Sequence, residues 1–382
     1  MGIKIIQTVI QKREFPDPRT YLGKGKFFYA KDISNSLKVD IIITVSDLKP
    51  SQHTELKKKF KKEVLDRSEV ILNIFEKHAT SREGKLEVEL AKLTYALPRL
   101  KGSEKGMSRV AGGIGTRGLG EQKLELDRRK ISKNISALKN ELEEINKQRI
   151  LNRKKREKSE IPLISIVGYT NAGKSSLLKK MTNKDVLIEN KLFSTLDTKS
   201  SELLLPGGRK IIISDTVGFI NRLPHELMKS FRSTLEAARY SDLLIIVVDI
   251  SDKKNESKLK TVFSTLDDIG AGDNPFILVY NKIDLVSDET IQRLQKKNDG
   301  AVFICAKNGF NIDSLFDKIN ECISNNEQIY EINFDIKNMA LFMKMRSYVN
   351  IISEKYLDGR VKIKFISSLR VYNELANAIP EV

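Results

Sequence analysis

Tryptophan is absent from the 382 residues, and cysteine and histidine are nearly so, with two and three respectively. Cys305 and Cys322 are too few for a disulfide framework, and His53, His78 and His225 form neither a CxxC nor an HExxH arrangement. A structural zinc site is therefore excluded, and a reducing, cytoplasmic setting is expected. Long apolar stretches are missing as well. The longest aliphatic run, Leu243 to Val248, is far short of the ~20 residues of a membrane span, and no signal-type segment opens the sequence, so a soluble protein without membrane attachment is expected. Ile6 stands where a myristoylation pattern wants Ser or Thr, which excludes that anchor.

Acidic charge is scarce in one part of the chain. Residues 1–160 hold 37 Lys and Arg against 22 Asp and Glu, whereas residues 161–382 hold 30 against 28, so nearly all of the net charge of +17 belongs to the N-terminal part. Such a surface suits a polyanion such as RNA, because neutralised phosphates release their counterions. A plainly solvated lysine-rich surface is the competing reading. With 40% hydrophobic and 31% charged residues the chain can bury a core, and its length suggests two or three domains.

The opening reads as a small α/β unit over residues 1–80. Strand-like runs fall at Gly2 to Ile10, Lys26 to Ala30 and Val39 to Val45, followed by a polar helix at Pro50 to Phe60 and an apolar segment at Glu69 to Phe75. Leucines at 86, 90, 93, 97 and 100 then mark one helical seam, and Leu124, Ile131, Ile135, Leu138, Leu142 and Ile145 mark a second on a helix from about Gln122 to Lys155. The short link between them favours an antiparallel hairpin over residues 81–160, with a lone dimerising coiled coil as the alternative; a monomer is expected. The link, Lys101 to Gly120, carries seven glycines, four basic residues (Lys101, Lys105, Arg109, Arg117) and one acid, Glu104. Its GxGxxG (Gly113, Gly115, Gly118) lies between amphipathic helices and not in a βαβ unit, so it is no dinucleotide fingerprint. Free glycines carrying cations suit contact with an RNA backbone, and a disordered connector is the other reading. The basic run Arg149 to Lys158 suits a helix end better than a nuclear-localisation signal, and a domain boundary is expected near Ser159.

Ile161 to Val167 reads as a buried strand, Gly168 to Ser175 (GYTNAGKS) as a phosphate loop, and Ser176 to Met181 as the helix after it. In that motif backbone N–H groups curl around the α- and β-phosphates, Lys174 reaches β and γ, and Ser175 offers a hydroxyl to Mg2+. The nucleotide is thus expected on Gly168, Tyr169, Thr170, Asn171, Ala172, Gly173, Lys174, Ser175 and Ser176. A hairpin of Ser201 to Leu205 with Lys210 to Ser214 leads into Asp215-Thr216-Val217-Gly218, where Asp215 suits the metal's water shell and the Gly218 N–H suits the γ-phosphate. Leu243 to Val248 and Phe276 to Tyr280 are two further buried strands, the second ending in Asn281-Lys282-Ile283-Asp284. The Asp284 carboxylate suits the N1–H and exocyclic amine of guanine, a donor pair that adenine lacks, while Asn281 braces the loops and Lys282 lies along the ring. The strand Ala301 to Ile304 then presents Cys305, Ala306 and Lys307 to the base. In the aperiodic stretch Phe193 to Thr198, Phe193 is taken as a nucleotide contact and Thr195 as the residue that completes Mg2+ coordination, with Thr198 or a plain loop as the alternative. Catalysis falls to Lys174, Thr195 and Gly218. Phe219 occupies the position where many GTPases place a water-orienting Gln, so unaided hydrolysis is expected to be slow. GTP or GDP with Mg2+ is the expected ligand set.

Gly168 to Leu177 (GYTNAGKSSL), Phe193 to Asp197 (FSTLD) and Asp215 to Glu236 (DTVGFINRLPHELMKSFRSTLE) resemble the HflX family of ribosome-associated GTPases. The resemblance extends to Tyr21 to Lys26, Asp66 to Phe75, Arg82 to Pro98, Gly112 to Gly120 and Leu124 to Arg129. It implies a P-loop G domain at 161–326 within an α/β protein, a family-type N-terminal domain at 1–160 and a small α/β domain at 327–382. It also implies a GTP-controlled protein that binds the large ribosomal subunit and its rRNA through the N-terminal domain and can help to separate subunits. A GTP-dependent protein acting on free structured RNA is the alternative. The family's loop reads GPGETQLE and this chain has GLGEQKLE at Gly118 to Glu125, so roles tied to that Pro or Thr do not carry over. After Asn325 a helix is expected at Met339 to Tyr356 and a strand at Val361 to Ile366.

Overall fold

A computed structural model describes residues 2–101, 119–159, 161–182, 199–206, 208–216, 218–219, 232–324, 327–346, 349–357 and 359–378. They form two compact units that meet in sequence between Lys147 and Gln148.

In the first unit, α1 (Lys24–Ser36), β1 (Ile41–Ile43), α2 (Pro50–Phe60), β2 (Glu63–Leu65) and α3 (Arg67–His78) precede two long helices, α4 (Arg82–Lys101) and α5 (Leu119–Ser159), whose last residues from Gln148 on belong to the second unit. The expected strand at Lys26 to Ala30 is helical. Its aromatic run has β propensity, but Phe27 sits edge-on to Phe60 at 5.2 Å, in a core with Leu48, Leu56 and Val64, and Ala30 one turn on faces the same core. Tertiary packing overrides propensity. Gly2 to Ile10 forms no strand and leaves Ile5, Ile6 and Ile10 exposed, and the run at Val39 to Val45 shortens to β1, parallel to β2. On α5 the seam residues Ile131, Ile135, Leu138, Leu142 and Ile145 are buried or half-buried, and most of their neighbours are exposed. Arg82 in the first turn of α4 binds Glu141 midway along α5 (3.0 Å from Nε), as an antiparallel hairpin requires.

The segment Asp66-Arg67-Ser68-Glu69 is a capping box: Asp66 Oδ1 accepts from Glu69 N (3.0 Å), and Glu69 Oε2 accepts from Asp66 N (3.0 Å). The fully buried Asp66 carboxylate also accepts from Leu48 N (3.1 Å), Tyr95 Oη (2.7 Å) and Arg99 Nη2. Arg99 binds Glu69 as well (3.1 Å) and stacks on the Tyr95 ring (3.9 Å). Burial, and secondarily the Asp66 charge, push the Tyr95 phenol well up. This network fastens α4 to the head of α3. Asp66→Ala leaves the buried Arg99 guanidinium with Glu69 alone and strips the cap from α3, and is expected to destabilise the unit by about 3 kcal/mol or more in urea unfolding, against about 1 kcal/mol for Tyr95→Phe.

In the second unit a six-stranded sheet has the order β4-β5-β3-β6-β7-β8, built from β3 (Leu163–Gly168), β4 (Lys199–Leu204), β5 (Lys210–Asp215), β6 (Leu243–Asp249), β7 (Phe276–Asn281) and β8 (Val302–Ile304). All neighbours are parallel except β4 against β5. Strands buried on both faces read as unbroken apolar runs, which is why the sequence located them. Helices α6 (Lys174–Thr182), α7 (Arg232–Arg239), α8 (Asn255–Asp268), α9 (Asp288–Lys297) and α10 (Ile312–Ser324) surround the sheet. Leu177 and Leu178 of α6 and Leu315 of α10 pack with Ile164, Ile245 and Val279 in one core.

The C-terminal part departs from expectation. The helix predicted over Met339 to Tyr356 ends at Met345 as α11 (Met339–Met345), and Asn350 to Tyr356 belongs to a strand. Strands β9 (Glu327–Asp335), β10 (Asn350–Leu357) and β11 (Arg360–Ser368) form an antiparallel sheet, followed by α12 (Leu369–Ala378). The missed signal is Asp358-Gly359, a hairpin dipeptide; Gly359 has φ +79° and Leu357 faces Arg360.

Candidate functional site

The parallel strands deliver their carboxyl ends to one rim of the sheet, where ligands of open α/β folds gather. There β3 gives way to the loop Gly168 to Gly173 and then to α6. A Cβ on Gly168 would lie 2.3 Å from the Val247 carbonyl oxygen, and one on Gly173 (φ +97°) 2.1 Å from Asn281 Nδ2, so both positions exclude a side chain. Lys174 opens α6, buried, with Nζ donating to the carbonyls of Gly168 (3.2 Å) and Tyr169 (3.1 Å). Burial pushes its ammonium down to about 8, against the upward pull of Asp215. Such a cation gains from a nearby anion, and a polyphosphate on the loop's N–H groups supplies one. Ser175 Oγ donates to Asp215 Oδ2 (2.8 Å), so the hydroxyl and carboxylate expected at a metal are adjacent. Thr170 and Ala172 are buried, Tyr169 and Ser176 half-buried and Asn171 exposed, all on the loop or the first turn of α6.

Gly218 is packed against this loop: a Cβ there would meet Lys174 Nζ and Thr170 Cγ2, each at 2.9 Å. Phe219 bridges Tyr169 in strand fashion, its N–H donating to Gly168 O and its carbonyl accepting from Thr170 N, both at 3.0 Å. Its side chain is buried.

The end of β7 supplies the other half of the site. Asn281 is buried, donates Nδ2–H to Ala172 O (2.8 Å) and accepts from Ala306 N through Oδ1 (2.9 Å), tying the phosphate loop to the loop after β8. Lys282 has φ +68° and donates to Asn171 O (2.9 Å). The exposed Asp284 carboxylate accepts from the Cys305 thiol (3.0 Å), and Lys307 is exposed beyond the buried Ala306. The structure thus brings Gly168 to Ser176, Asp215, Gly218, Asn281, Lys282, Asp284, Cys305, Ala306 and Lys307 to one rim. Phe193, Thr195, Thr198, Lys105, Arg109 and Arg117 lie outside the described residues, and Lys101 is described only in its backbone, as the last residue of α4.

Sequence reasoning missed Asp249, Asp252 and Lys258. Asp249 binds Lys282 Nζ (2.6 Å), and Lys258, paired with Asp252, lies over the Tyr169 ring (4.6 Å). The available signal was position: Asp249 ends the apolar run Leu243 to Val248, on the rim where β3 and β7 place their site residues.

A phosphate loop, an aspartate ending the neighbouring strand and an Asn-Lys-x-Asp two strands further on define a P-loop GTPase. Three family models match the chain: GTP-binding GTPase N-terminal at residues 1–76, GTP-binding GTPase Middle Region at 78–156, and 50S ribosome-binding GTPase at 163–282. GTPase HflX of Caldanaerobacter subterraneus subsp. tengcongensis is 39% identical over 378 residues, covering 99% of this chain and 87% of that protein. GTPase HflX of Escherichia coli is 35% identical over 325 residues, covering 85% and 76%. Among solved structures, a GTP-binding protein from Sulfolobus solfataricus in complex with GDP is 29% identical, covering 82% of this chain and 89% of that one at a TM-score of 0.44. The chain belongs to the HflX family of GTPases and is a GTP hydrolase.

Gly173→Ala tests the tightest contact at the rim. The added methyl, at φ +97°, must displace the Asn281 amide, so a drop in GDP affinity of about tenfold or more is expected by titration calorimetry, together with a lower thermal unfolding midpoint.

Proposed function

We propose that the chain is a GTP-switched ribosome-binding protein that engages the large subunit and its rRNA through residues 1–160 and helps to separate ribosomal subunits. The observation that carries this reading is the joint presence of a guanine-type site at 161–326 and a basic excess confined to 1–160, in a chain whose G domain matches a 50S ribosome-binding GTPase model. Residues 327–382 are read as a small appended domain. Among the described residues no helix is long and apolar enough to cross a membrane, and a monomer working in the cytoplasm fits this reading.

In the roles assigned here, the loop N–H groups and Lys174 hold the β- and γ-phosphates, and the Gly218 N–H meets the γ-phosphate. Ser175 and Asp215, already hydrogen-bonded, would hold Mg2+, with Thr195 completing the set; the ion, when bound, neutralises charge on the phosphates. Asp284 reads the guanine edge, flanked by Lys282 and Ala306, while Lys101, Lys105, Arg109 and Arg117 contact RNA phosphates. The Phe219 ring orients no water, so turnover is slow until ribosomal particles supply or order a catalytic group.

Co-sedimentation with purified subunits tests the reading: the GTP-analogue form is expected with large subunits and the GDP form much less so. Equal binding to any structured RNA, indifferent to the nucleotide, would favour the free-RNA alternative. Reversing Lys101, Lys105, Arg109 and Arg117 to Glu is expected to weaken ribosome binding and flatten its salt dependence, with GTP affinity held within a factor of about two. Asp284→Asn sets donor against donor at the guanine edge and is expected to cost about 2 kcal/mol or more of GTP affinity. Equal wild-type affinity for GTP and ATP would refute the base assignment.

A further inference from the structure

The end of β6 and the first turn of α8 do no chemistry in the roles above, yet they brace the phosphate loop at two points. Asp249, the last residue of β6, lies beside Asn281 in the β6–β7 register. Its Oδ1 accepts from the N–H (3.0 Å) and hydroxyl (2.6 Å) of Ser251, which fixes the plane of the carboxylate. Oδ2 then meets Lys282 Nζ at 2.6 Å, and the same ammonium reaches the carbonyl of Asn171 in the phosphate loop at 2.9 Å. The pair is largely withdrawn from water, with side-chain exposures of 18% for Asp249 and 25% for Lys282, which sets it apart from a screened surface ion pair. Lys282 is also held at φ +68°, a left-handed conformation that a lysine keeps only where its surroundings over-determine it. A few residues on, Lys258 is paired with Asp252 and set over the Tyr169 ring, bracing the phosphate loop two residues before Asn171.

We propose that Asp249 is a positioning residue for nucleotide binding. By holding the Lys282 ammonium against Asn171 O, it couples the loop that reads the base to the loop that holds the phosphates. The inference rests on the reading that this rim binds a guanine nucleotide. It differs from the role of Asn281, which ties the same loops through buried amide contacts: Asp249 acts from outside and only through Lys282. Its influence is therefore on affinity, for GDP and GTP alike, and leaves selection at the guanine edge to Asp284.

The test is a double-mutant cycle on the full chain. GDP, GTP and IDP affinities and the GDP dissociation rate are measured for wild type, Asp249→Asn, Lys282→Met and the double variant, with thermal unfolding in parallel. Asp249→Asn is expected to weaken GDP and GTP about tenfold and to speed GDP release in proportion. The double variant is expected to be no worse than Lys282→Met alone, because groups acting as one unit are non-additive. The ratio of GDP to IDP affinity, which reports the contact with the exocyclic amine, is expected to stay at its wild-type value in Asp249→Asn. Losses that multiply in the double variant, or an Asp249→Asn affinity within twofold of wild type, overturn the proposal. Where Asp249→Asn does not fold, Ser251→Ala takes its place, with a two- to threefold loss expected that vanishes in the Lys282→Met background; a loss that persists there is equally fatal. Failure of the wild type to bind GDP overturns the reading of the rim itself, whereas failure confined to the cycle removes only the brace.

Discussion

The carboxamide of Asn281 spends both its ends on backbone: one donates to the phosphate loop at Ala172, the other accepts from the loop after β8 at Ala306. Neither loop has regular secondary structure to hold it, and each carries buried polar backbone that must find a partner away from water. A single buried side chain at the end of the intervening strand satisfies both. The glycine requirement at 173 follows from the same contact, because the amide approaches so closely that a methyl group has no room. So does the order of the strands. Only with β7 separated from β3 by β6 alone do the two loops fall within reach of one amide.

Register then decides what else gathers at the rim. The parallel pairing of β6 with β7 sets Asp249 beside Asn281, and that of β3 with β6 sets Gly168 beside Val247. Because these strands are apolar on both faces, alternation cannot set their register; the fitted packing of the core sets it, and with it the site. The Gly168 contact with the Val247 carbonyl is a consequence: the chain leaves β3 so close to its neighbour that no side chain fits.

What was legible in the sequence divides along physical lines. Strands such as Leu163 to Gly168 and Leu243 to Asp249 are continuous apolar runs because both faces are buried, and the loops after them carry polar residues at motif spacings, so the G domain's elements and rim residues could be placed. The hairpin seams were legible because they repeat. Lys26 to Ala30 misled because its aromatics have strand propensity, whereas the deciding contact, Phe27 on Phe60, spans residues far apart in sequence. Asn350 to Leu357 misled because its apolar residues follow a short helix without a break in composition, and the hairpin dipeptide beyond them was passed over. The Asp66, Tyr95 and Arg99 cluster was not legible at all. Asp66 and Tyr95 lie inside segments that mark the family and Arg99 just past one, but nothing in the spacing of one chain shows that a carboxylate and a guanidinium on different helices are buried together.

The contact at Phe219 bears on how a residue without hydrogen-bonding groups stands at a hydrolytic site. Its bridge to the phosphate loop uses only main-chain N–H and C=O, paired with Gly168 O and Thr170 N, while the ring is buried away from water. The bridge asks nothing polar of the side chain, and burial favours an apolar one. A glutamine in the same buried place would need partners for its amide, and one exposed enough to orient water would give up the apolar contact. The residue therefore joins the chain after β5 to the phosphate loop through its backbone and offers no side-chain group to water. This is the structural basis of the slow unaided turnover proposed above.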